Sequence, residues 1–170
     1  MLVFLDFDGV LHHFFPRGEC GPEENSHFYY LPKFEEVARE HDFNIVISST
    51  WRTKRNWPQP LDVFSPDIRK RIIGVTPVLE DGHAAGGREK EVLEYLKRTD
   101  REHEPWVALD DYTVLYDKGT CVLCNDGFGE DEAERLREAL LDPKAYAQKY
   151  PAGIFTDAQG KIKTPPIFTY

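Results

Sequence analysis

Met1-Leu-Val-Phe-Leu5 is an unbroken apolar run that stops at Asp6, the pattern of a central strand covered on both faces. Asn44-Ile-Val-Ile47 is a second such run and ends in Ser48, Ser49 and Thr50, while Trp106-Val-Ala-Leu109 leads straight into Asp110 and Asp111. Ile72-Ile-Gly-Val75 and Thr120-Cys-Val-Leu-Cys124 read as two shorter strands. Between these runs the apolar spacing becomes helical: Phe34, Val37 and Ala38 predict a helix over 33–41, and Pro66 opens one over 66–71. Val92, Leu93 and Leu96 mark a helix over 87–98, entered through Gly86-Gly87, and Ala133, Leu136, Leu140 and Leu141 mark an amphipathic one over 130–142. Strands alternating with helices predict an α/β fold around a mainly parallel sheet.

Three stretches fall outside that alternation. Residues 12–32 are rich in aromatics, glycine and proline and read as a long flap, and residues 51–65 as a second lid-like loop with Trp, Pro and basic groups. From Pro143 onward, four prolines and several aromatics suggest an extended tail wrapped on the same domain, with turn chemistry at Asp157-Ala-Gln-Gly160. The expected organisation is therefore one domain over 1–142 and a tail over 143–170.

Composition narrows the function. At 170 residues with 41% hydrophobic positions, the chain suffices for one packed core. Its formal charge of −9 argues against a broad nucleic-acid or membrane surface, since phosphates would be repelled. The apolar N-terminal run lacks a basic flank and is broken by Asp6 and Asp8, so it is not a signal peptide. Three cysteines cannot all pair with one another, which with the absence of a signal points to reduced thiols in a cytoplasmic protein.

The chemistry sits where the apolar runs end. In parallel sheets the ligand site lies beyond the carboxyl ends of the strands. If the strands are neighbours, Asp6 and Asp8, Ser49 and Thr50, and Asp110 and Asp111 meet in one pocket. Asp6 and Asp8 leave their strand two positions apart and face the same way, and Gly9 lets the backbone turn close to a ligand. Gathering these carboxylates requires a compensating cation, and an all-oxygen site with few protein ligands suits Mg²⁺.

On Asp6-Phe-Asp8-Gly9-Val10-Leu11, Ile45-Val-Ile-Ser-Ser49-Thr-Trp51-Arg52 and Ala108-Leu-Asp-Asp111, the chain resembles the haloacid dehalogenase (HAD) superfamily of phosphotransferases. Arg88-Glu-Lys-Glu-Val-Leu-Glu-Tyr95-Leu96 and Asp126-Gly-Phe-Gly129 narrow the likeness to the compact HAD domains associated with Swiss army knife RNA repair proteins. The resemblance implies a three-layer Rossmann-like fold with minimal cap loops. It also implies a Mg²⁺-dependent phosphatase acting through an aspartyl phosphate, on a phosphorylated substrate such as a nucleotide or RNA end. Asp6 would be the nucleophile and Asp8 the acid–base, a second acid that phosphoryl transfer needs and dehalogenation does not. Ser49 would hydrogen-bond a phosphoryl oxygen, with Gly9, Thr50 and Arg52 as further substrate contacts. Mg²⁺ would be held by Asp6, the carbonyl of Asp8 and a carboxylate of Asp110 or Asp111. The phosphate-neutralising cation would be Arg88 or Lys90, both at the start of the 87–98 helix.

Other features read more plainly. Cys121 and Cys124 have metal-ligand spacing but lie in an apolar run and read as core. His12 and His13 follow the catalytic loop and are near enough in sequence to touch a leaving group. Arg52, Lys54, Arg55, Arg69, Lys70 and Arg71, interleaved with Trp51 and Trp57, form the basic-rich stretch through which a polynucleotide end could be received. The competing function is a HAD-like phosphate-binding or scaffold module without turnover. A receiver-like phosphoacceptor fits less well, since its accepting Asp follows a later strand. No membrane association and no partner protein are indicated.

Overall fold

The computed structural model describes residues 1–54 and 57–152, with the backbone of 155–156 and 162–163. Five short strands form one all-parallel sheet: β1 (Leu2–Leu5), β2 (Asn44–Ile47), β3 (Ile72–Val75), β4 (Trp106–Asp110) and β5 (Cys121–Leu123), in the spatial order β3-β2-β1-β4-β5. The helices are α1 (Leu31–Glu40), α2 (Pro66–Arg69), α3 (Gly87–Arg98), α4 (Glu130–Leu141) and α5 (Pro143–Lys149). The expected three-layer Rossmann-like α/β architecture is what the chain adopts.

Alternation along the strands builds two cores. Val3, Leu5, Ile45, Ile47, Val107, Leu109 and Val122 face Phe34, Val37 and Ala38 of α1, Ile68 of α2, and Ala133, Leu136 and Ala139 of α4. Leu2, Phe4, Val46, Ala108 and Cys121 face Val92, Tyr95 and Leu96 of α3 together with Leu115 and Tyr116. Both faces are buried, which is why the strands read as continuous apolar runs. Cys124 is a buried free thiol of the first core and Cys121 of the second, with burial pushing both up in pKa.

The tail begins differently from expectation. Residues 143–149 are helical: Pro143 occupies the first turn, Asp142 accepts a hydrogen bond from Ala145 N at 3.0 Å, and Tyr146 is buried in the first core. The extended reading over-weighted proline, which begins a helix as readily as it breaks one. Beyond it, Phe155–Thr156 (β6) pairs antiparallel with Ile162–Lys163 (β7), while the turn expected at 157–160 lies outside the described residues. Among the described residues, no helix is long and apolar enough to cross a membrane.

Candidate active site

β1 is the central strand, with β2 and β4 on either side, and the sheet order reverses there. Leu5 is in register with both Ile47 and Leu109, so the next residues, Asp6, Ser48 and Asp110, come out side by side. The ladder holds them: Asp6 N donates to Leu109 O at 3.0 Å and Ser48 N to Leu5 O at 2.9 Å. Ligands bind at this crevice in open parallel sheets.

The carboxylates of Asp6, Asp110 and Asp111 offer oxygens within 4.8 Å of one another. Asp6 Oδ1 accepts from Phe7 N at 2.7 Å. Asp110 is fully buried and is aimed by Tyr112 N at 2.9 Å and by the Tyr116 hydroxyl at 3.1 Å. Gly9, at φ +68°, leaves room for Asp111: a Cβ there would stand 2.4 Å from Asp111 Oδ2. Both members of the acidic pair that the sequence left undecided thus reach the cluster.

Asp8 turns elsewhere. Its carboxylate receives the Trp51 indole N–H at 2.8 and 2.9 Å and lies 3.1 Å from His12 Nε2. Burial alone would raise its pKa, but these hydrogen bonds outweigh it and leave the group below its ordinary value. Trp51 itself packs edge-on against Phe7, His12, His27 and Phe28, joining the 51–65 loop to the 12–32 flap. No local pattern announces the Trp51–Asp8 contact, which spans 43 positions.

Ser49 is buried, and its Oγ accepts from Trp51 N at 3.3 Å, leaving its own O–H to donate. Thr50, Arg52, Gly82, Arg88 and Glu91 are among the residues around an adjoining cavity of about 100 Å³. Arg88 is buried, donates to Ser48 O, and its Nε lies 4.0 Å from Asp110 Oδ2 with no hydrogen-bond partner. Burial would lower its pKa; the charges of Asp6 and Asp110 more than reverse that and fix it as a cation.

Two expected contacts are corrected. Lys90 projects from the exposed side of α3 and pairs with Asp81, because it directly precedes Glu91 and one helical step of about 100° turns it off the buried stripe of Arg88, Glu91 and Val92. Arg52 keeps no free N–H to offer a substrate: its five N–H groups meet five acceptors, the carbonyls of Ser48, Ser49, Thr76 and Pro77 and the Glu91 carboxylate. It binds the ends of β2 and β3 together instead. Of the other basic residues described, Arg69 pairs with Asp62, Arg71 caps carbonyls of Ala38 and His41, Lys54 lies 3.9 Å above the Trp51 ring, and Lys70 is exposed. Arg55 lies outside the described residues.

Buried polar groups are nearly always bonded, and the exceptions point to ligands. Among the described residues the orphaned atoms are His12 Nδ1, Ser48 Oγ, Thr76 Oγ1, Arg88 Nε and Thr113 Oγ1. All of them stand beyond the carboxyl ends of strands or on the helix entering beside them.

The donor set fits a hard divalent cation: three clustered carboxylates face one arginine, an excess of negative charge met by oxygen donors alone. Burial, and then repulsion within the cluster, pushes Asp110 up to about 7 and Asp111 up to about 9. Carboxyl pKa values raised by folding contribute stability that is full below the ordinary value of 3.8 and is lost as pH climbs through the raised ones. In EDTA, thermal unfolding should therefore shift downward between about pH 5 and about pH 9. Millimolar Mg²⁺ should remove most of that decline, because a cation then takes the place of the protons. An unfolding temperature in EDTA that is flat over this range would contradict the cluster.

The sequence of residues 2–133 matches the HAD domain in Swiss Army Knife RNA repair proteins. No curated protein and no solved structure matched the chain. The match runs from β1 into α4 and takes in every strand end just described, so the chain belongs to the family of HAD domains in Swiss Army Knife RNA repair proteins.

Proposed function

We propose that this protein is a Mg²⁺-dependent phosphomonoesterase that works through an aspartyl phosphate on Asp6 and acts on phosphorylated nucleotides or RNA ends. What carries the reading is the convergence at one sheet edge of a buried carboxylate nucleophile, a hydroxyl donor and a buried, under-bonded arginine.

Asp6 attacks phosphorus in line with the leaving oxygen, and the phosphoryl group is passed to its carboxylate. Ser49 O–H and Arg88 Nε are donors left available for phosphoryl oxygens. Asp8 exchanges the protons. The leaving oxygen takes a proton that reaches Asp8 from His12 Nε2 at 3.1 Å. The carboxylate so left, the form its lowered pKa favours, then takes a proton from the water that cleaves the intermediate, and that proton can return to His12. Mg²⁺, held by Asp6, Asp110 or Asp111 and the Asp8 carbonyl, would screen the charge between nucleophile and phosphate. On the flap, exposed Phe15 and Tyr29 are aromatic rings of the kind that stack with a base.

The test is phosphate release from an aryl phosphate and from 5′- and 3′-phosphorylated oligoribonucleotides. Turnover should appear with Mg²⁺, vanish in EDTA, and change less than about two-fold in Lys90→Ala, since that side chain is solvated. Folded protein that releases no phosphate from any of these, yet binds phosphate, would instead be a phosphate-binding module.

A further inference from the structure

Away from the acidic cluster, the 12–32 flap gathers a second set of ligand atoms with different chemistry. His13, Cys20 and Glu24 each present one, all within 4.8 Å of one another. From the structure we infer that these residues form a zinc site that clasps the flap shut beside the active site.

The imidazole is prepared for it. The His13 side chain is only 4% exposed, and its Nδ1 lies 2.6 Å from the carbonyl oxygen of Asp126. A carbonyl can only accept, so Nδ1 carries the hydrogen, and Nε2 is the nitrogen left to offer a lone pair to a metal. That is the arrangement of metal-binding histidines, whose second nitrogen donates to a carbonyl or carboxylate. Asp126 is itself fixed: it sits at φ +66°, and its carboxylate takes Phe14 N at 2.6 Å and Arg17 Nε at 2.9 Å.

Nε2 points at the other two ligands. Cys20 Sγ lies 3.7 Å away and Glu24 Oε1 also 3.7 Å. Around tetrahedral zinc, ordinary bond lengths put N···S at about 3.6 Å and N···O at about 3.4 Å. The gap is a few tenths of an ångström, and the Glu24 side chain, 40% exposed, is free to close it. Asn25 braces the loop between them, accepting from Arg17 N at 2.7 Å and donating to the carbonyls of Arg17 and Cys20 at 2.9 and 3.1 Å. Without metal, the Tyr30 hydroxyl stands 3.1 Å from Nε2 and fills one corner; burial pushes it up to about 12, so it remains a donor there.

Thiolate, imidazole and carboxylate together select a borderline-soft ion such as Zn²⁺, whereas the all-oxygen cluster at Asp6 selects a hard one. Binding releases the Cys20 thiol proton and leaves one vertex for water or Tyr30. The consequence is positional. His13 follows His12, the partner of Asp8, so a metal at His13 fixes the flap that carries the Asp8 contact.

Cobalt(II) reads the site directly. Titrated into chelator-treated protein, it should give an intense thiolate-to-cobalt charge-transfer band and tetrahedral d–d absorption, both removed by one equivalent of Zn²⁺. Cys20→Ser should abolish the charge-transfer band, and Glu24→Gln should weaken zinc binding about ten-fold or more. Cobalt bound at the acidic cluster gives no such band. In parallel, Zn²⁺ should slow trypsin cleavage after Arg17 several-fold in the wild type and not in Cys20→Ser. Folded wild type without the band, a band that survives Cys20→Ser, or cleavage indifferent to zinc would each overturn the site. None of these readouts depends on phosphatase activity.

Discussion

Asp6→Asn should lose phosphate release by on the order of 10⁴-fold or more while remaining folded. The amide keeps the size of the side chain and the acceptor for Phe7 N, so the β1 terminus is preserved. It removes the nucleophile and one of three crowded carboxylates. Asp110 and Asp111 are both raised in pKa partly by Asp6, so removing its charge relieves repulsion at neutral pH. Arg88 loses one anionic neighbour but keeps Asp110 and Glu91 within reach. In EDTA the variant should therefore unfold at a temperature at least as high as the wild type. Activity lost without stability lost is the signature of a group held strained for chemistry. A variant that unfolds several degrees earlier would make Asp6 a structural residue, and residual turnover above a few per cent would remove it as nucleophile. Assays with and without Mg²⁺, beside calorimetry of both proteins, separate these results.

Why some of this was legible in the sequence and some was not follows from range. The positions of Asp6, Ser49, Asp110 and Asp111 follow from one rule, that apolar runs of a parallel sheet end at a common edge, and the register of Leu5 with Ile47 and Leu109 bears that out. The 87–98 helix coincides with α3 because its glycine entry and apolar stripe agree with each other. Arg52 and Lys90 misled because side-chain direction decides them. A cation beside a hydroxyl motif reads as a phosphate ligand, yet Arg52 spends every donor on strand ends and Glu91, and Lys90 sits one residue off the buried stripe. Trp51 on Asp8 and Cys20 on His13 are contacts made by irregular loops, and no periodicity announces those. Glu91 lies within the Arg88–Leu96 stretch that carries the family resemblance, but its role depends on a partner 39 residues away.

That role predicts the largest loss of stability in the molecule. Glu91 is buried; its Oε2 lies 2.6 Å from Arg52 Nη2 and 3.7 Å from Arg88 Nη1, and its Oε1 accepts from Leu79 N at 3.1 Å. Both guanidinium groups are only 4% exposed. Glu91→Ala leaves two buried cations without their shared anion and one amide without an acceptor, a cost of about 3–5 kcal/mol. For a domain of this size that is a fall in unfolding temperature of about 6–20 °C. Glu91→Gln keeps the acceptor for Leu79 and should cost less, about 1.5–3 kcal/mol. The pair itself need not be favourable relative to apolar groups. Arg52→Met in the Glu91→Ala background should therefore recover part of the loss, because the second change removes a cation that the first left stranded. Denaturant titration of the two single variants and the double variant measures this coupling directly. Strictly additive losses would mean that Arg52 is held by the four strand-end carbonyls alone, and Glu91 would then serve Arg88 and the Leu79 turn rather than the clamp across β2 and β3.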